Sequence, residues 1–368
     1  MKYTRMPIEV ESPEEMGYDK IRYNLTESSF ADAHLADIDL DLRDVLLCYG
    51  DHKGHAGLRS WLAADAGLQA EQVLTTVGAA SALFMVSTAV LRSGDQLVVV
   101  RPNYATNIET PKAIGADIRY IDVRFEDGWR IDLDAVRQAV TPATRLLSVT
   151  HPHNPTGTCL RLSDLLGLVE IAEAAGCWLL VDETYRDLQW GKKLPHATTF
   201  SERVISVSSM SKAYGLPGIR IGWLMTRHKG LMENLLAAKE QIFITGSVLD
   251  EEVAFRYLQA RDRFLPGIQA RVQANFDCFK TWMAGQNDLE WVEPSGGVVA
   301  FPRMRQPEAI DIDRFYHILN AEHGTYVGPG HWFEQPRHYM RIGYGWPTLA
   351  ELQGGLTAIT AAMRAASR

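Results

Sequence analysis

The sequence predicts an α/β fold: a large domain built on a mostly parallel sheet with helices on both faces, followed by a smaller α+β domain. Three observations lead there. Short, continuously apolar, β-rich runs recur between residues 72 and 225, helix-period segments fall between several of them, and after about residue 235 the pattern becomes helical and then mixed. A strand that is apolar on both faces is one that helices cover from both sides, as in a parallel sheet.

In chain order, Gly57 and Leu58 open an amphipathic stretch, 72–77 reads as a strand, and 79–91 reads as a helix ending at Gly94-Asp95. Buried strands follow at 96–100, 146–150, 178–182, 204–207 and 221–225, with a helical segment at 162–175. Helical patterns then cover 232–241, 253–261 and 269–282, and the runs 297–301 and 338–342 read as strands of the smaller domain. We divide the chain into an N-terminal segment, 1–48, packing with the small domain; a large domain, 49–240; and connecting helices with the small C-terminal domain, 241–368. In such sheets ligands bind at the carboxyl ends of the strands.

At 368 residues and 46% hydrophobic, the chain can bury a core large enough for two domains. A net charge of −8 gives no overall pull toward nucleic acid. The polar start carries no apolar signal core, and no apolar run reaches membrane-spanning length. Cys48, Cys159, Cys177 and Cys278 are scattered without zinc or redox spacing, which fits idle thiols in a reducing cytosol. The expectation is a cytoplasmic protein with no metal, nucleic-acid or membrane partner. His52-Lys53-Gly54-His55 reads as a solvated loop, because no carboxylate or thiol stands at metal-ligand spacing.

The most informative stretch runs from Ser208 to Gly222. It sets Lys212 just past a buried strand, among hydroxyls, with Arg220 eight residues on. A lysine in such a cleft can form a Schiff base, and the hydroxyls with Arg220 could hold a phosphate. Taken alone, the stretch reads more readily as a surface lysine in a serine-rich loop, because surface lysines are so common.

Its order, Ser209-Met210-Ser211-Lys212, then Pro217-Gly218, Arg220 and Gly222, resembles the lysine signature of the class I/II aminotransferases, pyridoxal-phosphate (PLP) enzymes of fold type I. Five further elements follow that family's order. His151-Pro152-His153-Asn154-Pro155-Thr156-Gly157 resembles its N-P-x-N-P-T-G motif, with histidine first where asparagine is usual. Asp182-Glu183-Thr184-Tyr185 resembles its D-E-x-Y motif, and Tyr49, Gly54, Leu58 and Arg59 match its Y-x(4)-G-x(3)-L-R spacing. Gly78-Ala79-Ala80-Ser81, with Gly94-Asp95 and Pro102-Asn103-Tyr104, resembles its phosphate-cup region; Arg341-Ile342-Gly343 resembles its R-I-x motif. The matches span roughly 49–343.

The resemblance implies a large domain with a seven-stranded, mostly parallel sheet, and PLP as cofactor. It implies Lys212 as the cofactor-bearing catalytic lysine and Asp182 as the carboxylate beside the ring nitrogen, with Tyr185 and Asn154 donating to the phenolic oxygen. PLP draws electrons from Cα into a protonated ring, which needs such a carboxylate; a buried aspartate in turn needs a cation to stay ionised. The phosphate is expected at a helix start formed by Gly78, Ala79 and Ala80, with Ser209, Ser211 and Arg220. Tyr104 is expected to stack on the ring, and Tyr49 to reach across a homodimer interface to the neighbouring subunit's phosphate. Arg341 is expected to clamp the substrate α-carboxylate, with Asn154 and Thr26 also touching substrate.

One segment departs from the family. Asn24-Leu25-Thr26-Glu27-Ser28-Ser29-Phe30 stands where a G-E-P-D-F type segment is usual, with Thr26 and Ser28 in place of glycine and proline. That segment usually touches substrate, so the change points away from an ordinary one.

The implied activity is transfer of an amino group between an L-amino acid and a 2-oxo acid. The motifs serve the half of the chemistry shared with PLP lyases and cyclases: elimination, replacement, carbon–sulfur cleavage or capreomycidine-synthase-like ring closure. A non-catalytic PLP sensor would carry an N-terminal DNA-binding module, and the first fifty residues show neither helix-turn-helix pattern nor basic charge. A nicotinamide dehydrogenase would need a G-x-G-x-x-G after a strand, which Gly328-Pro329-Gly330 does not supply.

Overall fold

A computed structural model of the chain describes residues 1–38 and 40–368. The chain opens with two single-turn helices, Pro7–Val10 (α1) and Pro13–Met16 (α2), and a short strand, Tyr23–Leu25 (β1). The helix Ala56–Ala66 (α3) starts where the His55 ring nitrogen accepts from the Leu58 N–H at 3.0 Å, satisfying one of the donors a helix start leaves free.

The sheet-building region follows: Val73–Val77 (β2), Gly78–Val90 (α4), Gln96–Arg101 (β3), Thr106–Ile114 (α5), Asp117–Asp122 (β4), Leu133–Ala139 (α6), Thr144–Thr150 (β5), Leu162–Ala175 (α7), Trp178–Asp182 (β6), Val204–Ser209 (β7) and Ile221–Thr226 (β8). These strands form one seven-stranded sheet in the order β2-β8-β7-β6-β5-β3-β4. All pairings are parallel except the two made by β8. The mostly parallel, helix-flanked sheet is the fold class the sequence predicts.

Alternate strand residues face opposite ways, and here both ways are covered. Leu97, Val99, Leu146, Leu180, Ile205 and Leu224 share one apolar cluster with Ala82, Leu83 and Val86 of α4. Val98, Val100, Leu147, Leu179 and Val181 share another with Val136 of α6 and Leu165 and Leu168 of α7. Each such fully buried aliphatic side chain stabilises the fold by roughly 1.5–3 kcal/mol.

Lys229–Ile242 (α8), Val248–Gln259 (α9) and the long Arg261–Ala284 (α10) lead into the smaller region. It holds Leu289–Glu290 (β9), Val299–Ala300 (β10), Arg303–Met304 (β11), Ile312–His317 (α11), Thr325–Pro329 (β12), Met340–Gly343 (β13) and Leu349–Ala366 (α12). Its four-stranded sheet has the order β1-β12-β13-β10, so the N-terminal strand lies beside a strand from near the other end, parallel and with Tyr23 opposite Thr325.

The structure differs from the sequence expectation in detail. β4 and its flanking helices α5 and α6 were not anticipated. β4 pairs on one side only, against β3, and its residues are exposed or half-covered apart from the buried Ile121, so it lacks the apolar run that marks its neighbours. The strand expected at 297–301 is shortened to Val299–Ala300, where only two residues pair with β13.

Candidate active site

The carboxyl edge of the sheet gathers the chemistry. Thr150 ends β5, Asp182 ends β6 and Ser209 ends β7, and the register places Thr150 opposite Asp182. Because β8 runs the other way, its start lies at this edge. Val77, at the end of β2, is opposite Ile221, which brings Arg220 beside Gly78. Arg220 sits in the left-handed region at φ 50°. A Cβ on Gly78, itself at φ +71°, would stand 2.4 Å from Arg220 Nη2. A side chain there would be strained by the positive φ and would push that guanidinium from its place.

A cavity of about 280 Å³ opens here, lined by Lys212, Asp182, Tyr185, Asn154, Tyr104 and Thr26 among others. Ala79, Ala80, Ser209, Ser211, Arg220 and Arg341 line it as well. Of the residues singled out from the sequence, Gly78 stands behind Arg220 rather than on the wall, and Tyr49 lies outside the cavity, 82% exposed.

Lys212 hangs from the loop after β7, which the N-terminal segment grips: Phe30 N–H donates to the Lys212 carbonyl and Ala33 N–H to that of Gly215, both at 2.8 Å. Desolvation pulls the Lys212 ammonium below its ordinary pKa, and the nearby Glu27 carboxylate works in the opposite sense. Asp182 is buried and accepts from the Thr184 hydroxyl at 2.5 Å and the Thr184 N–H at 3.1 Å. Its carboxyl is pushed above the usual range by burial, with these bonds opposing. The start of α4 has no side-chain cap, so its first N–H groups are left to face the cavity beside Arg220. Ser211 Oγ lies 3.5 Å from Arg220 Nη1.

Arg341, in the middle of β13, is 3% exposed. Its Nη1 donates to Asn154 Oδ1 at 3.0 Å and its Nη2 to the Thr26 carbonyl at 2.5 Å, while Nε is buried without a partner. Asn154 is held at the far wall by the 151–157 loop. The loop's His153 bridges the Pro102 carbonyl, 2.9 Å from Nε2, and the Thr156 hydroxyl, 2.7 Å from Nδ1. His151, the departure from the usual asparagine, is buried and takes the Leu160 N–H on Nδ1 at 3.0 Å. Burial depresses its pKa to about 4, so the ring is neutral near pH 7. Burial pushes the Tyr185 phenol well up, and that of Tyr104 up to about 12.

The sequence reading missed several wall residues. Thr184, which orients Asp182, lies within the motif that was read, between Asp182 and Tyr185. Glu9, Glu14 and Trp332 also line the cavity, as do Glu27 and Ser28 of the divergent segment. Glu9 and Glu14 stand in a stretch with no motif to flag them.

Residues 23–359 match the family model described as aminotransferase class I and II. The chain belongs to that family. A capreomycidine synthase of Streptomyces vinaceus is 33% identical over 78% of this chain and 73% of its own. The arginine–pyruvate transaminase AruH of Pseudomonas aeruginosa is 28% identical over 77% of this chain and 74% of its own. A PLP-dependent aminotransferase from Streptococcus suis superposes over 100% of both chains with a TM-score of 0.92 at 26% identity. Family membership brings PLP as the cofactor. The donor set fits it: a buried carboxyl without a cation, an uncapped helix start beside a guanidinium, and a desolvated lysine share one cavity. Among the described residues no cluster of three or more His, Cys, Asp or Glu is placed to hold a metal, and no helix is long and apolar enough to cross a membrane.

Proposed function

We propose that this aminotransferase-family chain moves an amino group between an L-amino acid and a 2-oxo acid, with Lys212 as its catalytic base. The observation that carries the reading is that Lys212, Asp182 and Arg341 face one cavity from three separate elements.

When bound, PLP supplies an aldehyde carbon that takes up amines and a ring that accepts electrons from Cα. Lys212 would hold the cofactor through Nζ and, with Nζ free, would serve as the base that takes up and returns the substrate's Cα proton. Desolvation suits it to this, because a depressed pKa leaves a share of the amine unprotonated. Asp182 would face the ring nitrogen and help it keep a proton, and Thr184 fixes the carboxyl's orientation. Asn154 and Tyr185 would donate to the phenolic oxygen, and Tyr104 would cover the ring. The N–H groups of Ala79 and Ala80, with Ser209, Ser211 and Arg220, would take the phosphate. Arg341 offers its unpaired Nε and the fork beyond it to the substrate carboxylate, with Asn154 and the Thr26 carbonyl holding the guanidinium in place.

The reading includes a homodimer. Leu46, Leu47 and Tyr49 form an exposed apolar run at 76%, 72% and 82% exposure, which supports burial against a second copy with Tyr49 reaching its phosphate site. The free Cys48, Cys159, Cys177 and Cys278 support a cytoplasmic location.

A second reading, a PLP cyclase or lyase on the same scaffold, is favoured by the 33% identity to a capreomycidine synthase together with the altered 24–30 segment. One experiment separates the two. PLP-loaded protein is mixed with single amino acids, no oxo acid present, and cofactor absorbance and products are followed. Stoichiometric conversion to pyridoxamine phosphate and a 2-oxo acid supports transamination. Repeated turnover to a cyclised or eliminated product, with the cofactor kept in its aldehyde form, transfers the assignment to the second reading.

A further inference from the structure

Three carboxylates reach the cavity from the N-terminal segment: Glu9 of α1, Glu14 of α2 and Glu27, two residues past β1. Their neighbours Glu11 and Glu15 are paired, with His331 at 2.9 Å and Arg5 at 3.1 Å. Among the described residues, no cation lies within ion-pair distance of Glu9, Glu14 or Glu27. Glu27 instead receives weak bonds from the Tyr18 hydroxyl at 3.4 Å and Asn24 Nδ2 at 3.5 Å. Burial pushes its carboxyl above the usual range, so it is a desolvated acid lacking a full counter-charge.

Among the described residues the cavity wall carries three cations, Lys212, Arg220 and Arg341. Under the function proposed above, each is committed, to the cofactor's carbonyl carbon, its phosphate and the substrate carboxylate. Asp182 is likewise matched by the ring nitrogen. The three glutamates then remain without a cationic partner: Glu27 keeps only its two weak bonds, Glu9 takes the Tyr104 hydroxyl at 3.4 Å, and Glu14 is exposed to solvent. Arg341 has its buried Nε free and lies beside Glu27, whose neighbour Thr26 holds Nη2. A substrate anchored by its carboxylate at Arg341 therefore has Glu27 within reach of its side chain, with Glu14 and Glu9 alongside. The Glu27 backbone is held tightly against β13: a Cβ on Gly343 would meet the Glu27 carbonyl oxygen at 1.8 Å.

We propose that Glu27, backed by Glu14 and Glu9, receives a cationic group at the end of the substrate side chain, so that the substrates are basic amino acids of the arginine, ornithine and lysine class. The inference rests on the amino-acid-binding role proposed for Arg341. A guanidinium or ammonium supplies the missing charge in a desolvated setting, where such a pair is strong. A dicarboxylic amino acid meets like charge instead, and no further wall arginine to take a second carboxylate.

The test uses the PLP-loaded protein reduced with borohydride, which fills the site and stops turnover, and reads binding by calorimetry. L-Arginine is compared with L-citrulline, its neutral near-isostere, and with L-glutamate. The expected result is arginine binding at least tenfold tighter than citrulline, no glutamate binding, loss of the arginine preference in Glu27→Gln and partial retention in Glu27→Asp. If Glu27→Gln melts early or fails to take cofactor, Glu14→Gln and the unaltered protein give the same comparison. Equal binding of arginine and citrulline, or a preference untouched by Glu27→Gln and Glu14→Gln together, overturns the inference. The unreduced protein is read in parallel. A basic-side-chain preference in binding, with no amino acid altering the cofactor, would remove the proposed function and leave the cationic subsite standing. Conversion by neutral and basic amino acids alike would do the reverse.

Discussion

Arg341 Nη1 meets Asn154 Oδ1 at 3.0 Å, although the arginine stands in the small sheet and the asparagine in a loop at the edge of the large one. The bond ties the two regions together at the point where substrate is expected. Arg341→Lys keeps the charge and loses the fork. Truncating a buried, hydrogen-bonded charge partner costs about 2–5 kcal/mol, so kcat/KM for the amino acid should fall roughly 30-fold or more. The cofactor absorbance should be unchanged. An unaltered kcat/KM would remove Arg341 from substrate binding.

Gly78→Ala tests the phosphate site. It adds left-handed strain of roughly 1–2 kcal/mol and drives a Cβ into Arg220, whose Nη2 lies 2.4 Å from that position. Gly94→Ala is the matched control: it has φ +85° with open space around it. Both variants should lose some thermal stability, but only Gly78→Ala should also weaken PLP binding, by tenfold or more. Equal PLP affinity in the two would separate Gly78 from the phosphate.

Lys212→Ala should abolish the borohydride-reducible link to the cofactor, read as loss of the mass increment, together with turnover. Bound PLP should remain, because the phosphate and ring contacts come from other residues. Retained activity would assign the base elsewhere.

His151 predicts a pH effect on stability. Its folded pKa, about 4, lies below the ordinary 6.5. Its contribution is therefore complete above pH 6.5 and is lost as pH falls from 6.5 through 4, on the order of 3 kcal/mol in all. His153 carries the same sign, and His196, whose pKa is raised between Asp65 and Glu183, the opposite one. His151→Asn leaves both in place, so the difference between variant and parent isolates one ring. The melting temperature of His151→Asn should fall less steeply between pH 6.5 and 4.5. Parallel curves would refute a buried neutral His151.

The large sheet was legible because its central strands are buried on both faces and so read as apolar runs. The strand at Asp117–Asp122 was not, since edge burial leaves no such run. Lys212, Asp182, Asn154 and Arg341 could be placed because motif order survives in one chain. Glu9 and Glu14 could not: they face the cavity because the N-terminal segment folds back onto it, a tertiary contact with no local signature, whereas Glu27 lies within the 24–30 segment already marked as one that touches substrate. Tyr49 is exposed, and its expected role needs a second copy.

The parallel pairing of Tyr23–Leu25 with Thr325–Pro329 also bears on synthesis. On the ribosome β1 emerges about 300 residues before the strand it pairs with, and it must wait for that partner to appear. The segment carrying Thr26, Glu27 and the grip on Lys212 is therefore translated early and docked late. The growing chain can lay down its central sheet without it, and a nascent protein stalled before residue 325 would hold the lysine but not the finished pocket.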